Sequence, residues 1–158
     1  MGRAVQELTA ARLGRGFLPL AALFVWGLVQ VLFAPMQVGA WVLVVGAPCT
    51  AGIMLGHGLR GVKRAFGRPE AWWMALLGPA ALLPPVFGLY VACWRGLRTV
   101  AGGGLEAAVV GLVMTALGVW ALRSWLKVLE VGRLGDTMSG IGAGLQGLDL
   151  EGGEPWAG

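Results

Sequence analysis

Charge is what this 158-residue sequence has least of: Asp, Glu, Lys and Arg together make up 13%, about half the usual share of a soluble domain. None of these residues falls near the middle of a long apolar run. Ion-coupled carriers and proton relays keep an ionisable group at depth in the membrane, so the absence argues against both. Histidine occurs once, as His57 in the sequence GHG. A bis-histidine haem or a metal centre needs further ligands, and none cluster here, so no metal and no cofactor are expected. His57 reads instead as an interfacial residue between two glycines that permit close helix approach. Cys49 and Cys93 are not in CxxC spacing and lie at different depths, which speaks against a disulfide; both read as small packing residues. Paired carboxylates and Ser/His or Cys/His pairs are missing too, so no catalytic residue is expected.

Apolar residues, by contrast, make up 57% of the chain and gather into four runs. A run of about 18 or more crosses a hydrocarbon core about 30 Å thick, because a helix rises about 1.5 Å per residue. The fold class that follows is all-α: a polytopic transmembrane helical bundle of four spans with short loops, at about 17–34, 41–59, 72–94 and 105–126. Residues 1–16 read as an interfacial helix, 17–128 as the membrane domain, and 129–158 as an amphipathic extension followed by a glycine-rich flexible tail. Trp41, Trp72, Trp73, Trp94 and Trp125 bracket the spans, as rings that prefer the headgroup level should. The tail holds GAGLQG, a formal GxGxxG, without the preceding strand that a dinucleotide site requires. Ile141, Leu145 and Leu148 recur there at helical spacing, and Trp156 would anchor the segment on a bilayer or partner.

Basic residues orient the bundle. Four spans with both termini inside place ten of the twelve Lys and Arg residues in the cytoplasm and leave only Arg95 and Arg98 outside. The rival topology makes Trp72–Trp94 a re-entrant hairpin turning at Pro84–Pro85, and it strands Lys127 and Arg133 on the wrong side. A cleaved signal is disfavoured, because the first apolar run is longer than a signal core and the chain returns at once into the membrane. Ten arginines against two lysines, with abundant Ala, Gly, Leu and Val, point to a GC-rich bacterial genome and hence a bacterial cytoplasmic (inner) membrane. The basic residues are spread over loops with no aromatic platform, so nucleic acid is not an expected partner. Arg60, Lys63, Arg64, Arg68, Arg123 and Lys127 are expected to meet lipid headgroups or a partner subunit.

Within the spans, small residues mark packing. Gly52-x-x-x-Gly56, Gly88-x-x-x-Ala92 and the row Ala107, Gly111, Thr115 allow backbones to approach closely, in a compact bundle or a homo-oligomer. Proline marks the one break. Pro84 and Pro85 lack N–H groups, which deprives the carbonyls of Ala80 and Ala81 of their donors. Thr50 and Thr115 sit midway along their own spans, and their hydroxyls are expected to serve those carbonyls at a midplane kink. The functional expectation is a non-catalytic accessory, scaffold or assembly subunit of a membrane complex, with the bilayer and other membrane subunits as partners. The alternatives are a small oligomeric channel or facilitator that uses the Pro84–Pro85 break, and a lipid-acting membrane enzyme.

Overall fold

The computed structural model describes residues 2–151, which are helical almost throughout, with no strand among them. Helix α1 covers Gly2–Phe33 and α2 covers Val38–Ala65. The third span is assembled from pieces: a 3₁₀ turn at Trp72–Leu76, α3 at Leu77–Ala80, α4 at Leu83–Leu89, a π-helical segment at Tyr90–Arg95 and α5 at Gly96–Ala101. Helix α6 then runs without interruption over Leu105–Glu151. Four stretches are long and apolar enough to cross a membrane, Gly2–Phe33, Val38–Ala65, Trp72–Ala101 and Leu105–Gln146. The protein is therefore a multi-pass membrane protein. Residues 152–158, with Trp156, lie outside the described residues.

The turns follow from local chemistry. Pro35 ends α1, and the hairpin that follows is pinned by the Trp41 indole, whose Nε1 donates to the Pro35 carbonyl at 2.8 Å. After α2, Gly67 adopts φ +65°, a left-handed conformation that glycine enters at no steric cost, and the chain folds back on itself. Gly103 and Gly104, at φ +84° and +89°, make the reversal between α5 and α6 in the same way.

Contacts along the spans show how they are threaded. The side chain of Leu77 lies against Gly56, Phe87 against Gly46, and Arg95 against Gly39, so the third span runs antiparallel to α2 over its whole length. It crosses the bundle once, and the re-entrant alternative is not what the chain adopts. The start of α1, the end of α2 and the middle of α6 meet at one end of the bundle, where Gly2 abuts Phe66 and Arg12 reaches Glu130. We call this the terminal end, and the other, with the hairpin at 34–37 and the reversal at 102–104, the turn end.

The core is a seam of small and aliphatic side chains. Buried positions on α1 are Val5, Thr9, Leu13, Gly16, Leu20, Leu23 and Gly27, with Pro19 beside Leu20; on α6 they include Gly111, Met114, Gly118, Ala121, Trp125, Val128, Val131 and Gly135. Both series step by threes and fours, the spacing of nearly aligned helices that pack side chains into facing holes. This packing also corrects two expectations. Residues 1–16 are not a separate interfacial helix, because Val5, Thr9 and Leu13 continue the buried row of α1. Beyond the expected amphipathic extension the helix continues through Glu151, where the sequence suggested a glycine-rich flexible tail from Asp136 onward.

The tightest crossing joins α2 to α6. A Cβ on Gly61 would stand 3.0 Å from Gly132 Cα, and one on Gly135 would enter the Gly61 backbone. Backbones this close leave no space for a methyl group. Gly135→Ala should therefore lower stability by about 1–3 kcal/mol, the usual cost of overpacking. Gly132→Ala, whose added methyl meets nothing within 4 Å, should be neutral or stabilising. Thermal unfolding of both variants in the same detergent checks the contrast.

Candidate functional site

Pro84 and Pro85 occupy the first turn of α4, where a helix has no use for backbone donors. The chain turns at Ala81–Leu82: Ala81 N–H donates to the Gly78 carbonyl at 3.2 Å, and Val86 N–H takes up the Leu82 carbonyl, also at 3.2 Å. The prolines thus begin a helix instead of kinking one. Neither threonine reaches the carbonyls of Ala80 and Ala81, which corrects the expected arrangement. Thr50 Oγ1 donates back to Gly46 O at 2.7 Å on its own helix. Thr115 Oγ1 lies 2.8 Å from Gly111 O and 3.3 Å from Ala92 O, so it does meet the third span, but at the π-helical segment.

The reason is register. The third span continues to Ala101, seven residues past Trp94, and this carries Gly96 to the level of Gly111 and Thr115. A Cβ on Gly111 would stand 2.7 Å from Gly96 O, and one on Gly88 would stand 3.1 Å from Leu122 Cβ. Gly88, Ala92 and Gly111 therefore lie on the contact between the third span and α6, with half-buried Ala107 one turn from Gly111. Gly56 packs on Leu77, while Gly52 is exposed and meets nothing. Gly96 continues the row Gly88, Ala92 by four more residues but lies past the expected end of the span at 94, and Gly118 follows Gly111 at seven residues, off the four-residue spacing.

Polar side chains converge instead at the terminal end. There His57, Arg60, Arg64 and Asp136 line a crevice of about 250 Å³ between α2 and α6. The fold-back at Gly67 returns Glu70 to α2, where its carboxylate takes Arg60 Nε at 3.0 Å and is also bound by Arg64. Arg64 reaches a second carboxylate, Asp136 on α6, with its other arm. One guanidinium thereby ties the 66–71 loop and α6 to α2, a geometry suited to the forked donors of arginine. On the far side Arg12 Nη1 donates to the Lys127 carbonyl at 3.0 Å and to Glu130 Oε2 at 3.1 Å, which fastens α1 to α6. His57 Nε2 lies 3.1 Å from Leu77 O, and its ring meets Trp125 edge-on at 5.0 Å.

These placements revise several sequence expectations. Arg60 and Arg64 were expected at lipid headgroups, but the returning loop supplies carboxylates to both. Arg68, Arg123 and Lys127 are exposed and Lys63 is half-buried, all without an ion pair among the described residues. Trp125 is fully buried against His57 and is no part of an interfacial belt. Cys49 and Cys93 face outward and do not pack the core. Glu70 and Asp136 were not anticipated, since nothing in their local sequence marks them as partners of α2.

Chemically the cluster is a clamp: four arms held in mutual satisfaction at the end of the bundle from which α6 departs. Comparison with protein-family models, curated proteins and solved structures finds no match.

Burial on its own would raise the Glu70 carboxyl, but hydrogen bonds from Arg64 and Arg60 and the charges of both overcome it and hold the group below the ordinary carboxylate range. A lowered folded-state value stabilises above the unfolded value of about 4.3 and is lost as pH falls through the folded one. Acidification below about pH 4 should thus loosen the loop, and Glu70→Gln should abolish that part of the pH dependence. Melting curves of wild type and Glu70→Gln from pH 7 to 3 test it. Arg64 is 30% exposed and Asp136 49%, so solvent screening limits the loss in Arg64→Met to about 1 kcal/mol.

Proposed function

We propose that this protein is a non-catalytic scaffold or accessory subunit of a membrane complex, and that its working part is the free end of α6. The observation that carries this reading is the reach of that helix. Its 47 residues extend about 70 Å, more than twice the thickness of a hydrocarbon core. Up to Asp136 the helix is held by α1, α2 and the arginine clamp. Beyond it, residues 137–146 are exposed except for the half-buried Met138.

That projecting segment is an unusual helix. Gly140, Gly142 and Gly144 weaken it by about 1 kcal/mol each relative to alanine, while Ile141 and Leu145 stand 59% and 61% exposed on one side. Leu134, Met138, Ile141 and Leu145 step by four, three and four, the row that one helix offers to another. A second chain laid along this row would bury the apolar side chains and stabilise the glycine-rich turns. The terminal end carries ten of the twelve basic residues, which favours a cytoplasmic position for it and for the partner. The arginine-rich composition favours a bacterial inner membrane.

Purification in mild detergent should yield a second, stoichiometric chain with the full-length protein. Deleting residues 138–158 should remove that chain while the four spans still insert and purify. A homogeneous homo-oligomer with no second chain, unaffected by the deletion, would overturn the proposal.

A further inference from the structure

The turn end presents the electrostatic opposite of the clamp. Arg95 and Arg98 are the only basic residues there, and neither forms an ion pair among the described residues. Arg95 is half-buried, and its guanidinium is bound by Gln30 Oε1 of α1, a neutral acceptor that leaves the charge uncompensated. It lies directly over Gly39 in the first turn of α2. A Cβ at Gly39 would collide with Arg95 Nη1 and stand 3.0 Å from Tyr90 Oη, so the guanidinium and the phenol share one small space that only glycine leaves open.

Around them the bundle opens into a cleft of about 720 Å³, lined also by Trp94, Arg98 and Thr99. Trp41 and Trp94 set this level at the headgroups, where indole rings prefer to lie. Three of its lining residues, Tyr90, Trp94 and Arg95, belong to the π-helical segment. Such a segment relinquishes regular α-helical bonding and is found mostly at functional positions. A half-buried guanidinium paired with no carboxylate keeps its full charge at the headgroup level, and a phosphate oxygen pair fits its fork.

We infer that the cleft around Arg95, Arg98 and Tyr90 binds an anionic phosphate group presented at the membrane surface. Arg95 supplies the oriented fork, Arg98 a second positive charge, and the Tyr90 hydroxyl a neutral donor. The group is either the headgroup of an anionic phospholipid or a free phosphate ester.

The test is thermal unfolding of the full chain in dodecyl maltoside with three additions: phosphatidylglycerol, phosphatidylcholine, whose choline cancels the phosphate charge, and soluble glycerol 3-phosphate. Stabilisation by phosphatidylglycerol well above that by phosphatidylcholine, without an effect of glycerol 3-phosphate, supports the site with lipid as the source. Stabilisation by glycerol 3-phosphate supports it with a free ester as the source. In either case Arg95→Gln should raise the concentration for half-maximal effect about tenfold, the weight of one charge-assisted hydrogen bond. Gly39→Ala should do the same by displacing the guanidinium. Arg98→Gln alters an exposed side chain and serves if Arg95→Gln does not fold; it should at least double that concentration. No difference among the additions, or an unchanged response in Arg98→Gln and Gly39→Ala, overturns the inference.

Discussion

Everything in this bundle depends on one condition: in hydrocarbon a backbone carbonyl or N–H finds its partner in the protein or not at all. Three of the spans are long helices; α6 meets the condition without a proline, whereas α1 and α2 each contain one. The third span meets it by dividing its path. Its prolines start α4, its 3₁₀ and π-helical pieces redirect the chain, and Thr115 adds a hydroxyl from α6 where the π segment passes. The irregular span is enclosed by α2 on one side and α6 on the other, and Pro84, Phe87 and Val91 of its pieces are buried. Irregular backbone at membrane depth is tolerated where protein covers it.

With burial between helices offering little driving force in lipid, close approach must hold the elements together. Two of the places where backbones nearly touch are Gly61 against Gly132 and Gly135, and Gly96 against Gly111. Each lies beside a polar fastening. The first is flanked by Arg64 with Asp136, the second by Thr115 with Ala92. Steric fit sets the distance between helices, and the polar bond sets their rotation and register.

The number of spans, their approximate limits and the class of fold were legible in the sequence because bilayer thickness dictates the length of an apolar run. The faces of the spans were not. In water an inward face is read from polar residues opposite it, but a lipid-facing Val109 or Leu112 is as apolar as a buried Met114. The row of threes and fours on α1 and α6 is therefore invisible until the contacts are known. Register failed for a related reason. Depth counted from the middle of each apolar run placed Thr115 beside Pro84, whereas the extra turns at 95–101 shift α6 by more than two turns. The clamp was half legible: Arg60 and Arg64 stood out as a basic pair, but Glu70 and Asp136 join them only through a loop reversal and a helix crossing.

The continuous α6 has a mechanical consequence. The helix crosses α2 at Gly135 and runs a further 16 residues to Glu151, about 24 Å at 1.5 Å per residue. It is a lever whose fulcrum is a contact between two glycines, with no side chain to act as a stop. Each degree of tilt about that point moves the tip by about 0.4 Å, and a tilt of ten degrees by about 4 Å, roughly three quarters of a helical turn. Asp136, held by Arg64 of α2, sits one residue beyond the fulcrum on the projecting arm, where it resists such rotation with little leverage. A small tilt of α6 within the bundle is thus carried to its projecting end as a displacement of a few ångströms.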